Sequence, residues 1–204
     1  MTPAARYRLR MAPPEALVTF ARTVRARSAA HATALQLMQK VGLQGVVVSL
    51  LRQELDSLVR VLYLSRQPAQ GQLRLLEQME RGQRWTRTNE SGREEVVSDR
   101  TMVEAAASLH GWAKSAYKFG CAFIHLSRLH DYSSRDPLAL VSTEERTDIL
   151  AHLAYYHGLS SGPSSTFDDI IPMLPAVFAK IQSNLEAHVQ ELERGAAASP
   201  NPAT

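Results

Sequence analysis

The chain has 204 residues, 45% of them hydrophobic and 21% charged, a composition that suits one globular domain with a sizeable core. The longest aliphatic run, Val46 to Leu51, falls far short of the ~20 apolar residues that span a bilayer, so no membrane segment is expected. Cys121 is the single cysteine, which excludes an internal disulfide and a multi-cysteine zinc site. The N-terminus has arginines but no apolar stretch of the signal type, so a cytoplasmic location is expected. The net charge of +3 is unevenly spread: residues 1–40 hold seven basic residues and one acid, whereas residues 136–204 hold three basic residues and nine acids.

In chain order, residues 1–12 are basic and are expected to be flexible. Pro13-Pro14 opens a helix, because proline is tolerated in a first helical turn. Leu17, Phe20, Ala21, Val24, Leu35 and Met38 recur at helical spacing to about Gln39. A second helix is predicted from Gln44 to Arg66, ended by Pro68, and a third from Gln70 to Arg81. Residues 82–98 are polar, hold two glycines and read as an exposed loop, with Val96-Val97 as a short extended piece. From a Ser98 or Asp99 cap, one long helix is predicted to run to His130. Ser142 and Glu145 form a capping box for a helix that ends at Gly158. Ser165 and Asp168 repeat the capping signature ahead of a last helix to about Arg194, bent early by Pro172 and Pro175. Residues 195–204 read as a disordered tail. The expected architecture is an all-α, irregular bundle of five or six helices in a single domain over residues 13–194.

Two polar stripes carry the candidate chemistry. On the predicted long helix, His110, Lys114, Lys118, Cys121 and His125 follow one another by three or four positions and so share one line. On the second helix Arg52, Asp56, Arg60 and Tyr63 do the same. If these lines face each other, Arg52, Lys118 and His125 converge into an anion site for which phosphate is the natural occupant. His125 is then the acid–base group, Lys118 and Arg52 hold phosphate charge, Tyr117 and Ser127 orient the ligand, and Asp56 and Arg60 flank it. The competing reading is that these residues form a buried structural network in a non-catalytic module for dimerisation or protein interaction. Arg81, Arg84, Trp85, Arg87 and Arg93 mix basic and aromatic groups as single-strand-binding surfaces do, although three glutamates dilute them. Asp148 and His152 read as a solvated contact at i, i+4. His125/His130 and His152/His157 lie five apart, about 140° around a helix, and make no local metal clip. With no HExxH, glycine-rich phosphate loop or Gly-x-Ser-x-Gly pattern present, neither a metal nor a cofactor is expected.

The segment LLRQELDSLVRVLYLS (Leu50–Ser65), followed some fifty residues later by YKFGCAFIHLS (Tyr117–Ser127), resembles a group of all-helical bacterial proteins neighbouring the HEPN superfamily of helical-bundle ribonucleases and nucleotide-binding proteins. The resemblance covers residues 40–130. It implies a HEPN-like fold, metal-independent RNA cleavage or RNA/nucleotide binding, and a homodimer. The family motif is an arginine, four to six intervening residues, then a histidine. His125 matches the histidine, Lys118 stands in the arginine position, and Phe119 follows where the family has a polar residue.

Overall fold

The computed structural model describes residues 14–89, 91–107, 112–160 and 162–198; the predicted flexible N-terminus, His110 and residues 199–204 lie outside them. Three long helices form the frame: α1 (Glu15–Lys40), α2 (Gln44–Ser65) and, at the C-terminal end, a helix reaching Ala198. Helix α3 (Ala69–Glu80) follows, then strands β1 (Thr86–Thr88) and β2 (Glu94–Val96), α4 (Asp99–Ala107), α5 (Ala113–Ile124), α6 (Thr143–His157), α7 (Phe167–Ile170) and α8 (Leu174–Ala198). The fold class is all-α, as expected. None of the described helices is long and apolar enough to cross a membrane.

Helix α2 is the centre. It packs against α8, α5, α1 and α4, and its buried residues run around most of the helix, from Val47, Leu51, Leu55, Leu58 and Leu62 to Val61 and Leu64. A helix buried on all but one polar line, here Gln53, Asp56 and Arg60, is a core helix. Helices α1 and α8 cover it through buried positions three or four apart, Leu17–Ala21–Val24 on α1 and Phe178–Ile181–Leu185–Val189–Leu192 on α8. They are clasped at the surface by Arg25, which donates to the carboxylates of both Glu186 and Glu193 at 2.8–2.9 Å.

Glu54 is fully buried in the middle of α2. Its Oε1 accepts from the Ser28 hydroxyl at 2.5 Å, and its Oε2 lies 2.7 Å from Nδ1 of His31. Ser28 in turn accepts from Gln182 Nε2 of α8 at 3.0 Å. The network ties α1, α2 and α8 together where apolar contacts alone fix no register.

The long helix predicted up to His130 is not continuous. Helix α5 ends at Ile124, and His125 has extended geometry at ψ 142°. The Ser127 hydroxyl donates to the Ala122 carbonyl at 2.6 Å and accepts from the Leu129 amide at 3.2 Å. It thus closes α5 and caps the 3₁₀ turn Arg128–His130. A serine able to satisfy both backbone ends competes with helix continuation, and apolar periodicity does not register that competition.

The predicted loop at 82–98 is an antiparallel hairpin pairing Thr86 with Val96 and Thr88 with Glu94. The Asn89 side chain accepts from the amides of Ser91 and Arg93, and Gly92 takes the positive φ of 78° that the turn needs. The hairpin is pinned by Trp85, which is buried between Phe20 and Tyr63, with ring centroids at 6.4 and 6.2 Å. Trp85 therefore has no face to offer a nucleic-acid base. Arg87 and Arg81 are paired with Glu95 and Glu77.

The Ser142–Glu145 box caps α6 as predicted, and Gly158 ends it in the left-handed region at φ 72°. The last cap is shifted by one residue: Thr166 pairs with Asp169, while the Ser165 hydroxyl donates to the Gly162 carbonyl. Pro172 sits in a 3₁₀ turn, Ile171–Met173, that separates α7 from α8, and α8 continues through Gly195 to Ala198.

Candidate functional site

Helices α2 and α5 come close together at Gly120. A Cβ there would lie 2.6 Å from the Cβ of Arg52. This gap lets Arg52 lie flat between the helices, 7% exposed, so it is not a surface arginine. Its guanidinium carbon stands 3.2 Å over the Tyr117 ring centroid, and its Nε donates to Cys121 Sγ at 3.3 Å. A planar guanidinium suits such stacking in a way that an ammonium does not.

Arg52 opens onto Asp56, and two further arginines share that carboxylate. Nη1 of Arg52 is 3.8 Å from Oδ1, while Arg60 Nε at 3.1 Å and Arg27 Nη1 of α1 at 3.7 Å both approach Oδ2. Arg60 also meets Asp99 at 3.1 Å. Three guanidinium groups thus face two carboxylates, and the cluster keeps one excess positive charge. The two outer arginines are about 40% exposed, and a guanidinium has five N–H donors, more than these contacts use. The Tyr117 hydroxyl is buried with no hydrogen-bond partner. Burial pushes its phenol pKa up, against Arg52 and reinforced by Asp99 and Asp56, so it stays a neutral donor.

The predicted site residues divide. Arg52, Asp56, Arg60 and Tyr117 come together. Lys118 points elsewhere: its Nζ is 2.6 Å from Glu145 Oε1, in a groove shared with Ser127 and Arg128. Burial would push the Glu145 carboxyl up, but Lys118 and the Ser142 cap outweigh it and hold the pKa below the ordinary range. The Ser127 hydroxyl is spent on backbone groups. His125 is exposed at the end of α5, two turns beyond Tyr117, or about 12 Å along the axis at 1.5 Å per residue. Its ring forms no hydrogen bond, ion pair or ring contact with another described residue. The convergence expected of Arg52, Lys118 and His125 does not occur, because Arg52 is held between Tyr117 and Cys121, short of His125, and Lys118 leaves from a different face. Arg27 was missed; its signal was a basic residue on α1 that only tertiary packing brings to Asp56.

No family model, curated protein or solved structure matches this chain.

A second feature lies across the bundle. His152 of α6 is not a solvated contact. Its ring packs on Trp112 and Tyr156, with centroids at 4.8 Å in both cases, and approaches His157 at 5.5 Å. Burial, with a smaller contribution from His157, lowers its pKa from 6.5 to about 4. The folded state therefore holds a neutral ring where the unfolded chain binds a proton, and stability is lost as pH falls from 6.5 toward 4. Allowing for partial exposure, urea melts at pH 7 and pH 4.5 are expected to show about 1–2 kcal/mol more loss in the wild type than in His152→Phe, which keeps the ring contacts without the titration. Equal losses in both proteins would remove this assignment.

Proposed function

We propose that this chain is a cytoplasmic helical protein that binds the phosphates of RNA or of a nucleotide at Arg27, Arg52 and Arg60, and does not cut them with His125. The observation that carries the reading is the gathering of three guanidinium groups on the single carboxylate of Asp56. One aspartate and its neighbour Asp99 leave this cluster positive, and the half-exposed Arg27 and Arg60 flank the same oxygen at a spacing that a phosphate bridges with charge-assisted bonds. The HEPN resemblance points to the same ligand class. A histidine about 12 Å along the helix from Tyr117 is out of proton-transfer range of a phosphate held by Arg52.

The test is fluorescence anisotropy of a labelled single-stranded RNA in EDTA over a salt series. Three phosphate contacts predict a slope of log K against log salt of about −2. In Arg27→Gln/Arg60→Gln the slope should shrink to about −0.7 and the affinity should fall about 10–100-fold, while His125→Ala and Lys118→Ala stay within about twofold. RNA binding that ignores both salt and the double substitution rules the site out. RNA fragments that disappear on His125→Ala would instead restore the nuclease reading.

One observation favours the alternative, a non-catalytic dimerisation module. Val41, Leu43 and Val46 at the α1–α2 turn are 66%, 44% and 42% exposed, and Leu126 beyond α5 is 97% exposed. Light scattering that finds a dimer in wild type and a monomer in Val46→Glu/Leu126→Glu, with no RNA retention in either, would decide for it.

A further inference from the structure

Among the described residues, a cavity of about 80 Å³ opens between α2, α5, α6 and α8, away from the arginine cluster's outer face. Its walls are mostly hydrocarbon and aromatic, Leu51, Leu55, Phe119, Ile149 and Ile181 among them; Arg52 also lines it, but its guanidinium is turned to Tyr117 and Asp56, which do not. Interiors pack at crystal-like density, and an unfilled apolar space of this size is destabilising unless something occupies it. Benzene occupies about 150 Å³ in an engineered apolar cavity, so this one has room for about three carbons, the bulk of an isopropyl group.

The residues around the cavity carry a definite chemistry. Asp148 of α6 lines it, with Oδ2 accepting from the Ser115 hydroxyl of α5 at 2.7 Å. Asp148 has no cationic partner among the described residues. Trp112 and His152 complete this side. Their ring centroids are 4.8 Å apart with the planes tilted by 34°, and burial keeps His152 neutral at pH 7, so it adds no positive charge against a cation. A lone carboxylate and an indole face both favour an ammonium head, and a carboxylate ligand would meet repulsion from Asp148.

We propose that this cavity binds a small primary amine, with a branched alkyl end among Leu51, Phe119 and Ile181 and an ammonium group at Asp148 and Trp112. A ligand of five non-hydrogen atoms cannot bind tightly, and a Kd near 1 mM is the expected scale.

The experiment titrates ¹⁵N-labelled full-length protein with isobutylamine, isobutanol and isovalerate at pH 7. Isobutylamine should give saturable shifts at Trp112, Ser115 and His152 and bind about fivefold more tightly than isobutanol, with isovalerate weakest. Asp148→Asn, an exposed and structurally mild change, should bring the amine down to the alcohol's affinity and leave the alcohol unchanged. Ala116→Leu should abolish both by filling the cavity, and Val177→Phe serves the same purpose if Ala116→Leu does not fold. No saturable shift with the amine at 20 mM (about twenty times the expected Kd) overturns the proposal. So does equal binding of amine and isovalerate, or amine binding that survives a folded cavity-filling variant.

Discussion

Glu54→Ala is expected to lower the melting temperature by about 10 °C, from a loss of about 3–5 kcal/mol in a domain of this size. The carboxylate is fully buried and satisfies two donors, Ser28 Oγ and His31 Nδ1, from the neighbouring helix. Removing it strands both donors in a dry interior, each at about 1–3 kcal/mol, and opens a void as well. Glu54→Gln keeps the shape but turns an amide N–H toward one of the donors, so about 1–2 kcal/mol is the expected cost. The triple change Ser28→Ala/His31→Leu/Glu54→Leu should recover most of the loss, because replacing a whole buried polar set by hydrocarbon is often neutral. Gln182 would then turn to solvent, since it is only half-buried. Thermal melts of the three variants measure this order. A Glu54→Ala protein as stable as wild type would mean that the network does not hold α1, α2 and α8 in register.

Much of the frame was legible because it rests on local signals. The limits of α1, α2 and α3 lie within about two residues of those expected from apolar spacing and proline, and the Ser142 cap and Gly158 stop of α6 are short-range chemistry that any sequence window contains. What was not legible depends on distant partners. Glu54 reads as one more acid on a helix, and only α1, with Ser28 and His31 on its apolar face, makes it a core residue. Trp85 reads as a loop aromatic until Phe20 and Tyr63 bury it. The candidate site shows the same division. Arg52, Asp56 and Arg60 share a stripe by helical period alone, so their grouping was visible. Tyr117 was picked out with them, but its position under Arg52 depends on which way a long side chain lies between two helices. Lys118 is adjacent to Tyr117 in sequence, yet it faces Glu145 because neighbouring helical positions are about 100° apart.

Gly120→Ala tests the link between that packing and the site, and its sign separates two arguments. By helix propensity alone, alanine for glycine inside α5 should stabilise by about 1 kcal/mol. The new Cβ, however, would stand 2.6 Å from Arg52 Cβ, 3.1 Å from Cγ and 3.2 Å from Cδ. The nearest of these atoms is fixed to the α2 backbone and cannot swing aside, so the helices must part. Overpacking of this kind costs about 1–3 kcal/mol. Packing should win, for a net loss of about 1–2 kcal/mol by denaturant melt. The same displacement lifts Arg52 off the Tyr117 ring that orients its guanidinium, so RNA affinity should fall about tenfold even where the protein remains fully folded. Arg52→Ala is the comparison: it removes the guanidinium without parting the helices, and should lose affinity equally with less change in stability. If Gly120→Ala melts higher than wild type, the close approach of α2 and α5 is wrong. If it melts lower but binds RNA normally, Arg52 is a packing residue and the phosphate site reduces to Arg27 and Arg60.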